Sequence, residues 1–311
     1  MVRGLSRLRA GAALCLIIAA GCMGGGRPPE ELRQTASWVD PNYGPGHDEA
    51  GWDFTKLAAL AEKIREQRKP QGKLPPKRNI LAISGGGSYG AFSAGVLCGW
   101  SETGTRPEFD VVTGISTGAL IAPLAFLGPA YDCQLKHFYT TVTNDDIYKK
   151  HKPIKALFSE SFADNAPLRG QIEKTVTPEV IAAVAAAHLQ GRRLYIGTTD
   201  LEGRRQVIWD IGAIATRNEP GARKLIVDIL LASAAIPGFF PPVPITVTAG
   251  GRSTTERHVD GGVSCSLFLV PPHVSAEEKC NCRRTGFTIR IIYLLMAGKL
   301  YSDPEPVPSK A

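Results

Sequence analysis

From Asn79 onward, short unbroken apolar runs alternate with segments whose apolar residues recur at helical spacing. That alternation predicts an α/β fold with parallel strands buried on both faces. Asn79 to Ser84 is the first run and Phe109 to Thr113 the second. Each leads through a glycine-bearing turn into a helical segment, Ala91 to Glu102 and Ala119 to Leu127. Leu194 to Thr199, Gln206 to Trp209, Arg257 to Val259 and Phe287 to Leu295 read as further strands. Thr177-Pro178-Glu179 opens a helix running to Gln190, with Thr177 as its cap and Pro178 in its first turn. Ala222 to Ala235 reads as another helix, stopped by Pro237, and no internal repeat is evident.

The pattern changes at both ends, which divides the chain into 1–21, 22–78, 79–297 and 298–311. Arg3, Arg7 and Arg9 precede the apolar stretch Ala10 to Ala20, the layout of an export signal. It ends in Ala19-Ala20-Gly21-Cys22, which resembles the processing site of bacterial lipoproteins, where the cysteine thiol carries lipid. Cys22 is thus the expected lipidation site, and the chain is expected to be exported and anchored in the cell envelope. An ordinary secretory signal is the alternative. Residues 23 to 78 carry glycine and proline clusters around one amphipathic segment, Phe54 to Arg68, and read as a tether with a short helix. The tail from Asp303 to Ser309 is proline-rich.

Composition narrows the function classes. Of 311 residues, 43% are hydrophobic and 21% charged, which excludes wholesale disorder. No apolar run approaches the roughly 20 residues of a membrane-spanning helix. The formal charge is +7, but loss of the leader's three arginines brings it to +4. The remaining basic residues are scattered, without the aromatic interleaving of a nucleic-acid surface, so no nucleic-acid partner is expected. Cys98, Cys133 and Cys265 are isolated and read as small buried side chains. Cys280-Asn281-Cys282 is too lonely for a zinc site. No metal-ligand spacing occurs, so neither metal nor cofactor is expected.

Three motifs carry chemistry. Gly114-Ile115-Ser116-Thr117-Gly118 fits G-x-S-x-G between a strand and a helix, the setting of a nucleophile elbow; a tight turn with a capping serine is the plainer reading. Gly85-Gly86-Gly87-Ser88-Tyr89-Gly90 also lies between a strand and a helix. Consecutive glycines expose backbone N–H groups at a helix start, which suits an oxyanion or a phosphate. A Walker loop is excluded because no Gly-Lys-Ser/Thr follows. A dinucleotide pattern can be laid on Gly85, Gly87 and Gly90, but no acid ends the next strand to hold a ribose. Thirdly, His258-Val259-Asp260-Gly261-Gly262 delivers a carboxylate at a strand end, or else an ordinary turn aspartate.

In this order, and with Ala232-Ser233-Ala234-Ala235-Ile236-Pro237-Gly238-Phe239-Phe240 between the second and third, these motifs resemble the patatin-like phospholipase family over about Asn79 to Gly262. The resemblance implies a three-layer α/β sandwich with a central, mostly parallel sheet flanked by helices. It implies a serine acyl-ester hydrolase acting on lipids, with membrane lipid as substrate. Ser116 would be the nucleophile, Asp260 the general base, and the amides of Gly85, Gly86 and Gly87 the oxyanion hole. Gly90, Gly114, Gly118, Gly261 and Gly262 would support them. An unperturbed carboxylate, pKa about 4, is a weak base for a serine, so Asp260 must gain basicity from desolvation and a direct hydrogen bond. Leu231, Ile236, Phe239, Phe240 and Val243 are candidates for an apolar lining. The chain departs from the family's common pattern at Tyr89, where Arg or Lys is frequent, and at Ser84, where Asp is frequent.

Two rival readings use the same residues. A Ser–Asp–His esterase would draw its acid from Asp200 or Asp210 and its base from His258 or His273; His258 shares a strand face with Asp260. A non-catalytic lipid-binding lipoprotein is the other.

Overall fold

The computed structural model describes residues 77–150, 161–217, 221–249, 252–269 and 289–297. The leader, Cys22, the Phe54 to Arg68 segment, His273, Cys280, Cys282 and the tail lie outside the described residues.

Strands β1 (Lys77–Ile83), β2 (Val111–Ile115), β5 (Arg193–Asp200), β7 (Val243–Ala249), β8 (Arg252–Asp260) and β9 (Ile289–Leu295) lie in the order β7-β8-β5-β2-β1-β9. Strand β6 (Arg205–Asp210) also pairs with β5. The half formed by β9, β1, β2 and β5 is parallel; β6 and β8 run antiparallel to β5, and β7 to β8. A separate short ribbon joins β3 (Lys149–Lys150) to β4 (Ala163–Asp164). The unbroken apolar runs have their reason in this placement: every residue of β2, and all of β5 beyond Arg193, is buried.

The helices are α1 (Gly90–Glu102), α2 (Thr117–Leu127), α3 (Asp132–Thr141), α4 (Asn144–Ile147), α5 (Ala166–Thr175), α6 (Pro178–Leu189), α7 (Ile211–Thr216) and α8 (Ala222–Ser233). They share one large core with Leu81, Ile83, Val112, Leu194 and Ile196, which sit on one face of the sheet. On the opposite face Ile80, Val111, Ile115 and Tyr195 pack with Phe268. The expected α/β fold, a central, mostly parallel sheet flanked by helices, is what the chain builds, the described helices covering one face.

Helix α2 shows how the interior is held. It is apolar on every side and buried except at Leu120, because it lies between β2 and the helices α1, α3 and α6. Its last carbonyls are met by two buried arginines: Arg106 donates to Ala125 O at 2.9 Å, and Arg192 donates to Phe126 O while stacking on the Phe126 ring. Each guanidinium also has a carboxylate partner, Asp132 and Glu108. Cations at the C-terminal end complement the helix dipole, whose positive end begins beside Ser116.

Differences from expectation are local. Strand β2 runs to Ile115 and α2 begins at Thr117, so Ser116 alone makes the turn. Helix α8 stops at Ser233, short of Ala235. Strand β7 was not anticipated: Val243, Ile245 and Val247 alternate inward, but a proline at 244 argues against a strand; the sheet tolerates it there, on the exposed side of an edge strand. Helices α3 and α5 were also unread, each burying only one or two residues. Cys133 is exposed rather than buried, since α3 turns it outward, and all three described cysteines are free.

Candidate active site

Strand β5 brings Ser116 and Asp260 together. One edge carries β6 along Tyr195 to Asp200. The other is shared by two strands: β2, parallel, ends at the rung Ile115–Gly197, while β8, antiparallel, ends at the next rung, Thr198–Asp260. Two strands therefore point their C-terminal ends at each other along one edge. The residue after Ile115 is Ser116, and the last residue of β8 is Asp260. Their side chains meet: Ser116 Oγ donates to Asp260 Oδ2 at 2.6 Å, across 144 residues of sequence.

Ser116 adopts φ 55° and ψ −125°, a conformation that costs a non-glycine residue about 1–3 kcal/mol. The packing of its neighbours enforces it. A Cβ on Gly118 would overlap the carbonyls of Ile83 and Ser84 at the end of β1, and one on Gly114 would overlap Gly118 itself. Only glycines let β1, β2 and α2 approach this closely. Thr117 is fixed by the hydroxyl of Tyr139, 2.7 Å from Thr117 Oγ1. Burial pushes that phenol well above its ordinary pKa and keeps it neutral. Gly90, at the start of α1, lies against the same threonine.

Asp260 is 6% exposed. Its Oδ1 accepts the Gly262 N–H at 2.7 Å, its own N–H donates to Ala235 O at 2.9 Å, and Thr199 Oγ1 donates to its carbonyl at 3.0 Å. Burial raises the carboxyl above its usual pKa, and the hydrogen bonds from Ser116 and Gly262 pull it back only in part. The group is therefore an ionisable base of increased basicity, bonded directly to a hydroxyl. Gly261 packs its Cα against the Gly197 carbonyl.

The glycine loop crosses above this pair. Gly85 lies so close to Ser116 that an added Cβ would stand 2.9 Å from the serine Cβ, and Gly86 presses on the carbonyl of Ala297 just beyond β9. Gly85 N–H is committed to Ser266 O at 3.4 Å. Among the described residues, the amides of Gly86 and Gly87, the next two along the loop, have no hydrogen-bond acceptor. Ser84 anchors the loop: its hydroxyl donates to Gly85 O at 2.9 Å and accepts from Ala297 N at 2.9 Å. Tyr89 and Ser88 point outward into solvent.

Three residues of the triad alternative, His258, Asp200 and Asp210, have partners of their own, and His273 lies outside the described residues. His258 is wholly enclosed; its Nδ1 is 3.0 Å from Thr198 Oγ1 and its Nε2 3.2 Å from Glu256 Oε2. Asp200 bonds Gly203 N and Arg205, and Asp210 caps α7 through Ala213 N. Of the apolar lining candidates, Leu231, Phe240 and Val243 are core residues, whereas Ile236 is exposed and Phe239 partly so. Sequence reasoning missed the roles of Ser233 and Ala235, although it singled out their segment. Among the described residues no group of three or more His, Cys, Asp or Glu side chains could hold a metal.

The family model for patatin-like phospholipases matches residues 81–269, more than half of the chain, a span containing Ser116, Asp260 and the glycine loop. Among solved structures, VipD from Legionella pneumophila aligns with 12% sequence identity and a TM-score of 0.41. The alignment covers 78% of this chain and 57% of the VipD chain. No curated protein sequence matches.

Proposed function

The chain belongs to the patatin-like phospholipase family, and from that premise we propose that it is a lipid acyl hydrolase working through a Ser116–Asp260 dyad. The observation carrying this reading is the 2.6 Å hydrogen bond from a strained serine to a basic, buried carboxylate.

Ser116 Oγ attacks the ester carbonyl carbon while its proton passes to Asp260 Oδ2. The negative charge collecting on the carbonyl oxygen is received by the amides of Gly86 and Gly87, with the N-terminus of α2 adding positive potential. Collapse expels the alcohol, which leaves with the proton held by Asp260, and an acyl-serine remains. Water then loses a proton to Asp260, adds to the acyl carbon, and frees the fatty acid as Ser116 regains its hydrogen. Large apolar side chains are exposed on the segments that carry the site: Tyr89 and Phe92 beside the glycine loop, Ile236 next to Ala235, and Val263 after Asp260. They suit an acyl-chain substrate. No cation sits in the glycine loop, so the reading extends to acyl esters generally rather than to phosphate headgroups.

The leader and Cys22 support export and anchoring of the mature protein at a membrane surface through lipid. Among the described residues no helix is long and apolar enough to cross a membrane. Conversion of Cys22 to serine is expected to move the protein from the membrane fraction to the soluble one.

The test of the hydrolase is fatty-acid release from mixed phospholipid vesicles and from a medium-chain p-nitrophenyl ester, alongside fluorophosphonate labelling. Labelling at Ser116 and loss of both activities in Ser116→Ala are expected. A folded chain that neither labels nor hydrolyses in the presence of lipid would favour the lipid-binding lipoprotein.

A further inference from the structure

Between the facing ends of β2 and β8 the ladder on β5 is interrupted. The parallel pairing would hand the next N–H, that of Ser116, to a β5 carbonyl, but the elbow at φ 55° turns the chain away. Ser233, the last residue of α8 and wholly buried, fills that gap. Its Oγ accepts the Ser116 N–H at 3.0 Å and donates to the Gly197 carbonyl at 2.7 Å. Two residues on, the Ala235 carbonyl accepts the Asp260 N–H at 2.9 Å. One short segment thus holds the backbone amides of both halves of the candidate dyad.

Building on the dyad reading above, we infer that the C-terminal turn of α8 sets the Ser116–Asp260 separation, with Ser233 as its positioning residue. The hydroxyl replaces a missing rung, giving the strained serine backbone a partner it could not otherwise have. The end of α8 at Ser233, just ahead of Pro237, is what keeps the second contact. A further α-helical turn would commit the Ala235 carbonyl to the helix and deny it to Asp260.

The experiment compares Ser233→Ala with the near-isosteric Ser233→Cys in the full chain, beside Ser116→Ala. Loss of the clamp is expected to lower kcat by about 10- to 100-fold with KM little changed, because misplacement of reacting groups by ångström fractions acts on the chemical step. The fluorophosphonate labelling rate should fall in parallel. The acid limb of the rate profile should move to higher pH, since a slackened Ser116 bond stabilises the Asp260 carboxylate less. Hydrogen exchange at the Ser116 amide, resolved to single residues, should quicken. Ser233→Cys should lie between, its thiol being a weaker partner.

A Ser233→Ala protein of lowered Tm but unchanged kcat, acid limb and Ser116 exchange would reduce the residue to structural filling and overturn the inference. If Ser116→Ala itself hydrolyses as fast as the unaltered chain, the dyad reading falls and the positioning role with it; the two failures are told apart by that control.

Discussion

Asp260 and His258 stand two residues apart on one strand and one face, yet their surroundings could hardly differ more. Asp260, at the last rung of β8, has two hydrogen bonds to its carboxylate, both from neutral donors, Ser116 Oγ and Gly262 N. His258, one rung pair deeper, belongs to a closed set. Trp209 donates to Thr198 Oγ1 at 2.8 Å, that hydroxyl meets His258 Nδ1, and His258 Nε2 meets Glu256, which Arg205 also holds at 3.2 Å. Indole can only donate and carboxylate only accept, so the chain from Trp209 through Thr198 and His258 to Glu256 gives each member a partner. One site leaves a carboxylate bonded to a hydroxyl, and the other uses its polar groups on itself. Distance along the strand decides: β8 ends at Asp260, where β2 arrives from the other side.

That comparison can be broken most sharply by activity. Asp260→Asn and Ser116→Ala are each expected to lower ester hydrolysis by about 10³-fold or more, whereas His258→Gln should keep kcat within a few-fold per folded molecule. Loss of turnover in a well-folded His258→Gln protein would instead favour the triad.

Stability should separate the two residues in the opposite direction. His258→Ala leaves Glu256 and Thr198 short of a partner inside the core. It is expected to cost about 2–4 kcal/mol, read from denaturant unfolding. Asp260→Asn should raise Tm at neutral pH. Its folded-state pKa lies above the unfolded value, so the ionised carboxylate opposes folding above that pKa, and the opposition fades as pH falls through it. The gain of the variant should therefore shrink in acid; an equal or lower Tm at pH 7 would contradict the burial argument.

The pH profile sharpens the contrast further. On the acid side kcat/KM should fall with a midpoint above the ordinary carboxylate value of about 4, because in the proposed dyad Asp260 accepts the serine proton only when ionised. The smallest effect concerns the elbow. Ser116→Gly should be more stable than Ser116→Ala by about 1–2 kcal/mol, the reverse of the order at a helix interior, because glycine accepts φ 55° without strain.

How much was legible follows from the range of each constraint. The glycines of both loops could be read in the sequence, because strand–turn–helix junctions of this tightness demand them locally. The central strands could be read because burial on both faces leaves unbroken apolar runs. Strand β7 hid behind Pro244, which only an edge position excuses. Ser233 gave no sign of its task in its own neighbourhood, since its partner lies 117 residues earlier. Gly85 could be read as part of the loop, but not that Ser266 takes its amide and leaves Gly86 and Gly87.

The sequence by itself determined the elements, the elbow and the choice of a serine and an aspartate at strand ends, all consequences of local backbone geometry and of burial. It named Asp260 through the family resemblance and kept His258 only as a rival, because residues two apart on a strand share a face. The tertiary structure decided which of the two meets Ser116, by running β2 and β8 toward one another along the same edge of β5. That arrangement presents the end of each strand, and not the residue two positions earlier, to the other.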